Sequence, residues 1–175
     1  MNVYQVLQEH HRILKGLCQK ITIARPGSAH RGRYLDELLL ELDIHFRIED
    51  DIYYPALSAA STLLAIAHAE HRQVFDQLAT FLRTSPLSSA YEDEWCSFTT
   101  VLEAHADEEE RDMIPVPPSV KLSDEDLDVL GSQMQCRIEE LRNSKVQRLR
   151  VRGRTAVFRA MHRPHLSRDG HHPIR

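Results

Sequence analysis

Apolar residues recur three and four positions apart over four long segments of the chain, and no segment shows the alternation that is typical of strands. We therefore predict helices over residues 2–23, 31–54, 61–83 and 88–114. The breaks between these segments are short and rich in Pro, Gly or Ser. Because short connections place successive helices antiparallel, the sequence predicts an all-α fold, an up-down-up-down antiparallel four-helix bundle.

A fifth, accessory helix is predicted to begin at Ser123, whose hydroxyl can cap it while three acidic residues follow at its positive end. The apolar residues expected to dock this helix on the bundle are Leu127, Leu130, Met134, Ile138 and Leu141. After Asn143 the pattern is lost and basic residues dominate, which is typical of a flexible tail. The predicted organisation is a bundle over 1–118, an accessory helix over 119–142 and a basic, flexible tail over 143–175.

Two of the predicted helices carry the same polar pair in their core-facing rows. On the second helix the row ends at Ile52 and is apolar except at His45 and Glu49, and on the fourth it is interrupted at His105 and Glu109. Each histidine precedes its glutamate by four residues, about one helical turn, so both side chains lie on the same side of the helix. We expect each of these helices to direct an imidazole and a carboxylate into the bundle interior.

The first and third helices also place histidines in such rows, with alternatives. The first helix has one possible row with His11 and another with His10, and the row with His11 stays apolar for one turn longer. The third helix has two possible rows, both of which include His71, while His68 lies in only one of them. His11 and His71 are therefore favoured as inward residues, with His10 and His68 as possible additional ones.

An interior that holds four histidines and two glutamates indicates a metal site. A buried polar group without a partner costs about 1 to 3 kcal/mol, and an isolated buried carboxylate costs more. Imidazoles suit iron, and two carboxylates can bridge two ions. Ferritin-like di-iron enzymes use four carboxylates and two histidines. The histidine-rich set in this chain favours reversible ligand binding or redox sensing over hydroxylation.

The composition is that of a globular protein, and we expect it to be cytoplasmic. Apolar residues make up 42% and charged residues 27% of the chain, values that exclude a disordered class. No apolar run reaches the roughly 18 to 20 residues that span a bilayer, and the first residues lack the layout of a secretory signal. The three cysteines are widely spaced, which indicates neither a disulfide framework nor a cysteine zinc site.

The net charge of −4 combines an acidic bundle with a basic end. Residues 1–118 carry 10 basic and 19 acidic side chains, whereas residues 119–175 carry 12 basic and 7 acidic ones. The arginine-rich run 148–159 could contact nucleic acid, anionic lipid or the acidic surface of the bundle itself. Because it lacks interleaved aromatic residues and a recognisable binding fold, nucleic acid is a less favoured partner. The oligomeric state is left open.

Two stretches of the chain resemble motifs of the hemerythrin-like family, also called the HHE cation-binding domain. HFRIEDDIYYPAL (45–57) and HADEEERDMIP (105–115) are similar to its second- and fourth-helix motifs almost position for position. VLQEHHRIL (6–14) and AEHRQVFDQL (69–78) resemble its first- and third-helix motifs more loosely. The family's first-helix histidine is usually followed by Arg, so Arg12 favours His11. The resemblance covers about two thirds of the chain, residues 3–116.

The resemblance implies a non-haem centre of two iron ions joined by an oxo or hydroxo bridge. Glu49 and Glu109 would bridge the ions, and the terminal ligands would be His11, His45, His71 and His105. Some family members use a carboxylate five residues after the histidine, which makes Asp50 and Glu110 possible additional ligands. Dioxygen, nitric oxide or peroxide would bind at an open iron position.

One departure from the family bears on function. Oxygen-carrying members supply five histidines, two of them four residues apart on the third helix, whereas His68 and His71 are only three residues apart. This difference argues against simple oxygen carriage. The resemblance implies a di-iron protein that binds or senses dioxygen or nitric oxide, more a binding protein than an enzyme, with no catalytic residue assigned. One alternative is a di-iron protein for iron–sulfur cluster repair or for peroxide or nitric oxide detoxification. Another is a metal-poor regulatory interaction module.

Overall fold

A computed structural model describes residues 1–160, and every regular element in that part of the chain is helical. The long helices are α1 (Val3–Ile23), α2 (Ala29–Ile48), α3 (Ser61–Arg83), α4 (Tyr91–Asp112), α5 (Asp124–Asn143) and α6 (Lys145–Ala160). The all-α class and the five predicted helices are confirmed. None of the six helices is both long enough and apolar enough to cross a membrane.

Local sequence explains where several of these helices begin. The side chain of Asn2 accepts the backbone N–H of Gln5, and the Gln5 side chain accepts that of Asn2, so α1 starts with a capping box. Ser28 caps α2 through one backbone N–H. Ser123 and Asp126 form a second capping box at α5. The predicted cap at Ser123 is therefore confirmed.

Helix α2 continues into a π-helical segment, Glu49–Tyr53, and a short final turn, Tyr54–Ala56. The backbone N–H of Tyr54 donates to the carbonyl of Glu49, five residues back. This wider turn holds an extra residue, so the row of buried positions rotates around the helix. The sequence pattern places Ile52 on the buried row, whereas the structure buries Tyr53 and Tyr54 and leaves Ile52 half-buried.

A polar layer divides the core. Helix α1 packs on α2 and α4, and α3 packs on α4. Their buried apolar side chains form two clusters, one containing Leu7 of α1 and the other containing Leu14. On α2, Ile48 belongs to the cluster with Leu7, and Leu42 belongs to the cluster with Leu14. The buried histidines of these helices lie between the two clusters, so the polar side chains are enclosed by apolar packing above and below.

Helix α5 packs on α1 and α2. Four of its five predicted docking residues are buried, and the fifth, Leu130, is half-buried against the same apolar cluster. The buried four are Leu127, Met134, Ile138 and Leu141. Gly131 allows close approach, because an added Cβ would lie 2.3 Å from the carbonyl oxygen of Met1. Near the other end of α5, Arg142 donates two hydrogen bonds, of 2.8 and 2.7 Å, to the carboxylate of Glu41 in α2.

The structure differs from the predicted tail over Lys145–Ala160, which forms α6. This helix packs on α2 and α3, with Val151 and Thr155 buried. Arg154 pairs with Asp43 of α2, so part of the basic run contacts the acidic surface of the bundle. The few apolar residues of α6 do not form a clear pattern in the sequence, because six basic residues lie among them. Packing against the other helices stabilises this helix. Residues 161–175 lie outside the described part.

Candidate metal centre

Six buried side chains converge in the polar layer, and we call them the central cluster: His11 of α1, His45 of α2, Glu49 of the π-helical segment, His71 of α3, and His105 and Glu109 of α4. None of them is more than 5% exposed. Their atoms form two overlapping groups that could each hold a cation, and both groups include Glu49. All six residues favoured by the sequence pattern thus lie together.

The carboxylate of Glu49 lies between two imidazoles. Its Oε1 is 3.1 Å from Nε2 of His45, and its Oε2 is 3.1 Å from Nε2 of His71. On the opposite helix, Oε2 of Glu109 is 3.2 Å from Nε2 of His11. Because each oxygen of Glu49 faces a different imidazole, this carboxylate has the arrangement of a bridge between two cations.

Most of these donor atoms have no hydrogen-bond partner among residues 1–160. Both oxygens of Glu49 and of Glu109 are buried and unpaired, and the same holds for Nε2 of His11, His45 and His105. Two ligands bound about 2.1 Å from one ion at right angles lie about 3 Å apart, which matches the contacts around Glu49. Without a cation, each unpaired buried group would cost about 1 to 3 kcal/mol. The donor set therefore fits metal ions.

Electrostatics favour neutral imidazoles at His45 and His71, and the neutral form is the one that binds metal. Burial lowers the pKa of His45 well below its usual value, and the neighbouring histidines lower it further. Burial, together with the proximity of His105, lowers the pKa of His71 to about 3. Burial and the adjacent Glu109 raise the pKa of Glu49 well above its usual value. Burial also acts to raise the pKa of Glu109, but its interactions with His11 and Glu49 outweigh that effect and lower it.

Carboxylates on neighbouring turns face the outer ring nitrogens of the cluster. Glu110 lies 2.7 Å from Nδ1 of His11, and Glu70 lies 3.1 Å from Nδ1 of His105. Such partners orient an imidazole and set which nitrogen is free to bind metal. The structure thus places Glu110, a possible additional ligand, on the outer side of His11.

The structure separates the two adjacent histidines of α1. His10 is buried, its ring stacks on that of His45 at 5.5 Å between centroids, and its Nε2 lies 3.2 Å from Glu41. It belongs to neither group of convergent donors, whereas His11 lies inside the central cluster. Both histidines are buried, but only the row with His11 points into the central cluster.

Asp50 and His68 lie at the edge of the cluster rather than inside it. Their side chains are 49% and 47% exposed. Together with His71, they form a third group of residues that could hold a cation. The three-residue spacing of His68 and His71 thus puts only His71 into the central cluster.

Sequence reasoning missed two residues that contact the cluster. The hydroxyl of Tyr54 lies 3.0 Å from Nε2 of His71, and burial raises the pKa of this phenol, as do the nearby carboxylates. Glu70 was missed because it precedes His71 by one position and falls in no core-facing row. The available signal for Tyr54 was its place inside the stretch HFRIEDDIYYP, but the π-helical turn that brings it inward has no clear mark in the sequence.

Residues 2–116 match the family described as Hemerythrin HHE cation binding domain. The chain belongs to this family. The part of the chain that matches the HHE domain contains the whole central cluster, and α5 and α6 follow it. The resemblance inferred from the histidine and glutamate motifs is confirmed.

Mycobacterial proteins are similar to this HHE protein over almost its full length. Uncharacterized proteins of Mycobacterium tuberculosis and Mycobacterium bovis are 55% identical to it over 161 residues, which is 92% of this chain and 100% of each relative. The crystal structure of a Hemerythrin HHE cation binding domain-containing protein of Mycobacterium kansasii, the Rv2633c homologue, is also similar. It has 60% identity and a TM-score of 0.85, and the match covers 91% of this chain and 99% of that one.

Proposed function

We propose that this HHE protein holds two iron ions in the central cluster and binds or senses dioxygen or nitric oxide there. Glu49 and Glu109 would bridge the ions, and the terminal ligands would be His11, His45, His71 and His105. In this proposal α1 to α4 run alternately up and down, as their short connections favour. Iron supplies a redox-active centre with a coordination position for a small diatomic ligand.

The unpaired donor atoms carry this proposal. Four imidazole nitrogens and four carboxylate oxygens from different helices converge, and nearly all are buried without a hydrogen-bond partner among residues 1–160. Nitrogen-rich donor sets of this kind suit iron, and a carboxylate that faces two imidazoles, as Glu49 does, suits a pair of ions. The low pKa of His45 and of His71 keeps both imidazoles neutral and able to donate.

The surrounding residues have roles of their own in this proposal. Glu110 and Glu70 hold the rings of His11 and His105 through their outer nitrogens. Phe46 lies against His71, with 4.0 Å between ring centroids. The two apolar clusters exclude bulk water from the polar layer. A small neutral ligand can therefore enter a site in which charged solutes are disfavoured.

Metal analysis with an optical spectrum tests the proposal. Protein loaded anaerobically with ferrous iron is expected to hold two iron ions per chain and to show a charge-transfer spectrum that changes with oxygen or nitric oxide. His45→Ala and Glu109→Ala should each lose iron and this spectrum, because each removes a buried donor. The exposed residues His30 and Glu103 give matched controls, since His30→Ala and Glu103→Ala leave the cluster intact.

Two results would contradict the proposal. Wild-type protein that is folded but takes up no iron, and whose Tm is the same with and without iron, would support the metal-poor interaction module instead. Iron retained at full content in both cluster variants would show that the ligand assignment is wrong. Rapid turnover of peroxide or nitric oxide, well above that of free iron, would favour the detoxification alternative over sensing.

A further inference from the structure

The central cluster poses a problem of access. Its six residues are at most 5% exposed, and apolar packing encloses the polar layer. A hydrated divalent cation must lose its water before it can reach such ligands, and bare passage through apolar side chains is too costly. A group of ligands at the surface that replaces the water stepwise would remove this obstacle.

Asp50, His68 and His71 form such a group beside the cluster, and we call it the outer site. One ligand atom from each of the three residues lies within 4.8 Å of the others. Oδ1 of Asp50 is 3.6 Å from Nδ1 of His68 and 3.7 Å from Nδ1 of His71. These separations are too long for hydrogen bonds, so the three groups are not already satisfied by one another.

The outer site and the central cluster share His71. Its Nε2 is 3.1 Å from Glu49 in the cluster, whereas its Nδ1 faces Asp50 at the surface. Glu49 and Asp50 are consecutive residues of the π-helical segment, one fully buried and the other 49% exposed. Segments of this kind are frequent at functional sites. The π-helical segment and α3 therefore each present one donor group to solvent and another to the interior.

We propose that Asp50, His68 and Nδ1 of His71 capture a divalent cation from solvent and pass it to Glu49, which admits it to the central cluster. This inference rests on the proposed function. Two imidazoles and one carboxylate are a donor set that binds Fe²⁺, Zn²⁺ or Co²⁺ while leaving positions for water. The exposed half of the site exchanges water with solvent, and the carboxylate of Glu49 is the next ligand inward.

Uptake of Co²⁺ by the metal-free full chain tests this inference, with bound cobalt followed by its visible absorption. The variants are His68→Ala and Asp50→Asn. Loss of one ligand or supporting group weakens metal binding by at least about tenfold, so we expect uptake about tenfold slower at limiting cobalt. The final cobalt content should equal that of the wild type, because His71 that binds a cluster ion through Nε2 keeps its proton on Nδ1, so the outer site is empty once the cluster is filled.

The controls use exposed residues of the same kinds. Asp51 lies beside Asp50 with a side chain 47% exposed, but it pairs with Arg137 of α5. Asp51→Asn and His30→Ala should take up cobalt at the wild-type rate. Unchanged uptake in both outer-site variants would overturn the inference, and so would a lower final content at an unchanged rate, which would make these residues ligands of the central cluster.

A second measurement separates this inference from the proposed function. The double variant Glu49→Ala/Glu109→Ala removes a carboxylate from each cation-binding group of the central cluster but keeps the outer site, and circular dichroism checks that it folds. It should bind one Co²⁺ per chain, and addition of His68→Ala should abolish that binding. Two metal ions in the wild type with none in the folded double variant would overturn the outer site alone. Binding that depends only on His68, with no loss in His45→Ala, would overturn the central cluster alone.

Discussion

Glu49 and Glu109 are the same residue type and are equally buried, yet their surroundings shift their pKa values in opposite directions. Burial and the charge of Glu109 raise the pKa of Glu49, while interactions with His11 and Glu49 lower that of Glu109 despite burial. Without a cation, the pair therefore favours one proton and one negative charge. A cation that binds both carboxylates would displace that proton, so metal binding is expected to release protons.

Glu41 gives a prediction about pH at the residue scale. Burial acts to raise the pKa of Glu41, but its close contacts with the ring of His10 and the guanidinium of Arg142 outweigh burial and lower the pKa to about 2. A lowered carboxylate pKa stabilises the fold above the ordinary value of 4.5 and loses that contribution as pH falls towards 2. We expect Glu41→Gln to reduce the free energy of unfolding at pH 7 by about 1 to 3 kcal/mol.

Urea unfolding of both proteins from pH 7 down to pH 3 measures this effect. The difference between wild type and Glu41→Gln should shrink as the pH falls below the ordinary carboxyl pKa. Glu37 lies one turn earlier on α2 and is exposed, so Glu37→Gln should change stability little at any pH. A Glu41→Gln difference that is independent of pH would show that the loss comes from packing rather than charge.

At the scale of elements, α2 and α6 show two ways in which packing alters a local pattern. Helix α2 widens into a π-helical segment at Glu49, which turns Tyr53 and Tyr54 into the interior. Helix α6 forms from a strongly basic run because its few apolar side chains pack against α2 and α3. In both cases contacts with other helices determine the outcome.

Two valines of α6 provide a test of its docking. Val151 is 5% exposed and belongs to the apolar cluster that contains Leu14, whereas Val157 is 54% exposed. Val151→Ala should lower the free energy of unfolding by about 1 to 2 kcal/mol through lost burial and a small cavity. Val157→Ala should stay within about 0.5 kcal/mol of wild type. Equal effects of the two changes in chemical denaturation would mean that α6 does not pack as described.

At the scale of the whole molecule, the polar layer lies between two apolar clusters and draws on four separate parts of the chain. Metal held by these residues would tie α1, the end of α2, α3 and α4 together. A cation that binds this arrangement has no equivalent site in the unfolded chain. Metal binding should therefore stabilise the folded protein as a unit.

Thermal unfolding with and without metal measures this coupling. Free cation at 100 times the dissociation constant stabilises by about 2.7 kcal/mol, and a domain of this size gains about 2 to 4 °C per kcal/mol. We expect iron to raise Tm by about 5 to 10 °C and a chelator to reverse the rise. His45→Ala should show no such rise. An equal rise in His45→Ala would indicate adventitious binding elsewhere.

Much of the fold and of the candidate site was predictable because the relevant signals are local and periodic. The spacing of apolar residues predicts five of the six long helices, and a capping residue such as Ser123 marks a helix start. His45 with Glu49, and His105 with Glu109, stand out because polar residues in a core-facing row are costly without a partner. His11 and His71 followed from the same rows, although His10 and His68 remained as alternatives.

The sequence by itself determined the helical class, the family and four residues of the central cluster, and it favoured His11 and His71 for the other two places, since each depends on spacing along one helix. Only the tertiary structure decided that His10 pairs with Glu41, that Asp50 and His68 face solvent beside His71, and that Tyr54 reaches the cluster. It also decided that the basic run forms α6. These features depend on which helices lie side by side and on one widened turn, and contacts between distant residues leave no periodic mark in the sequence.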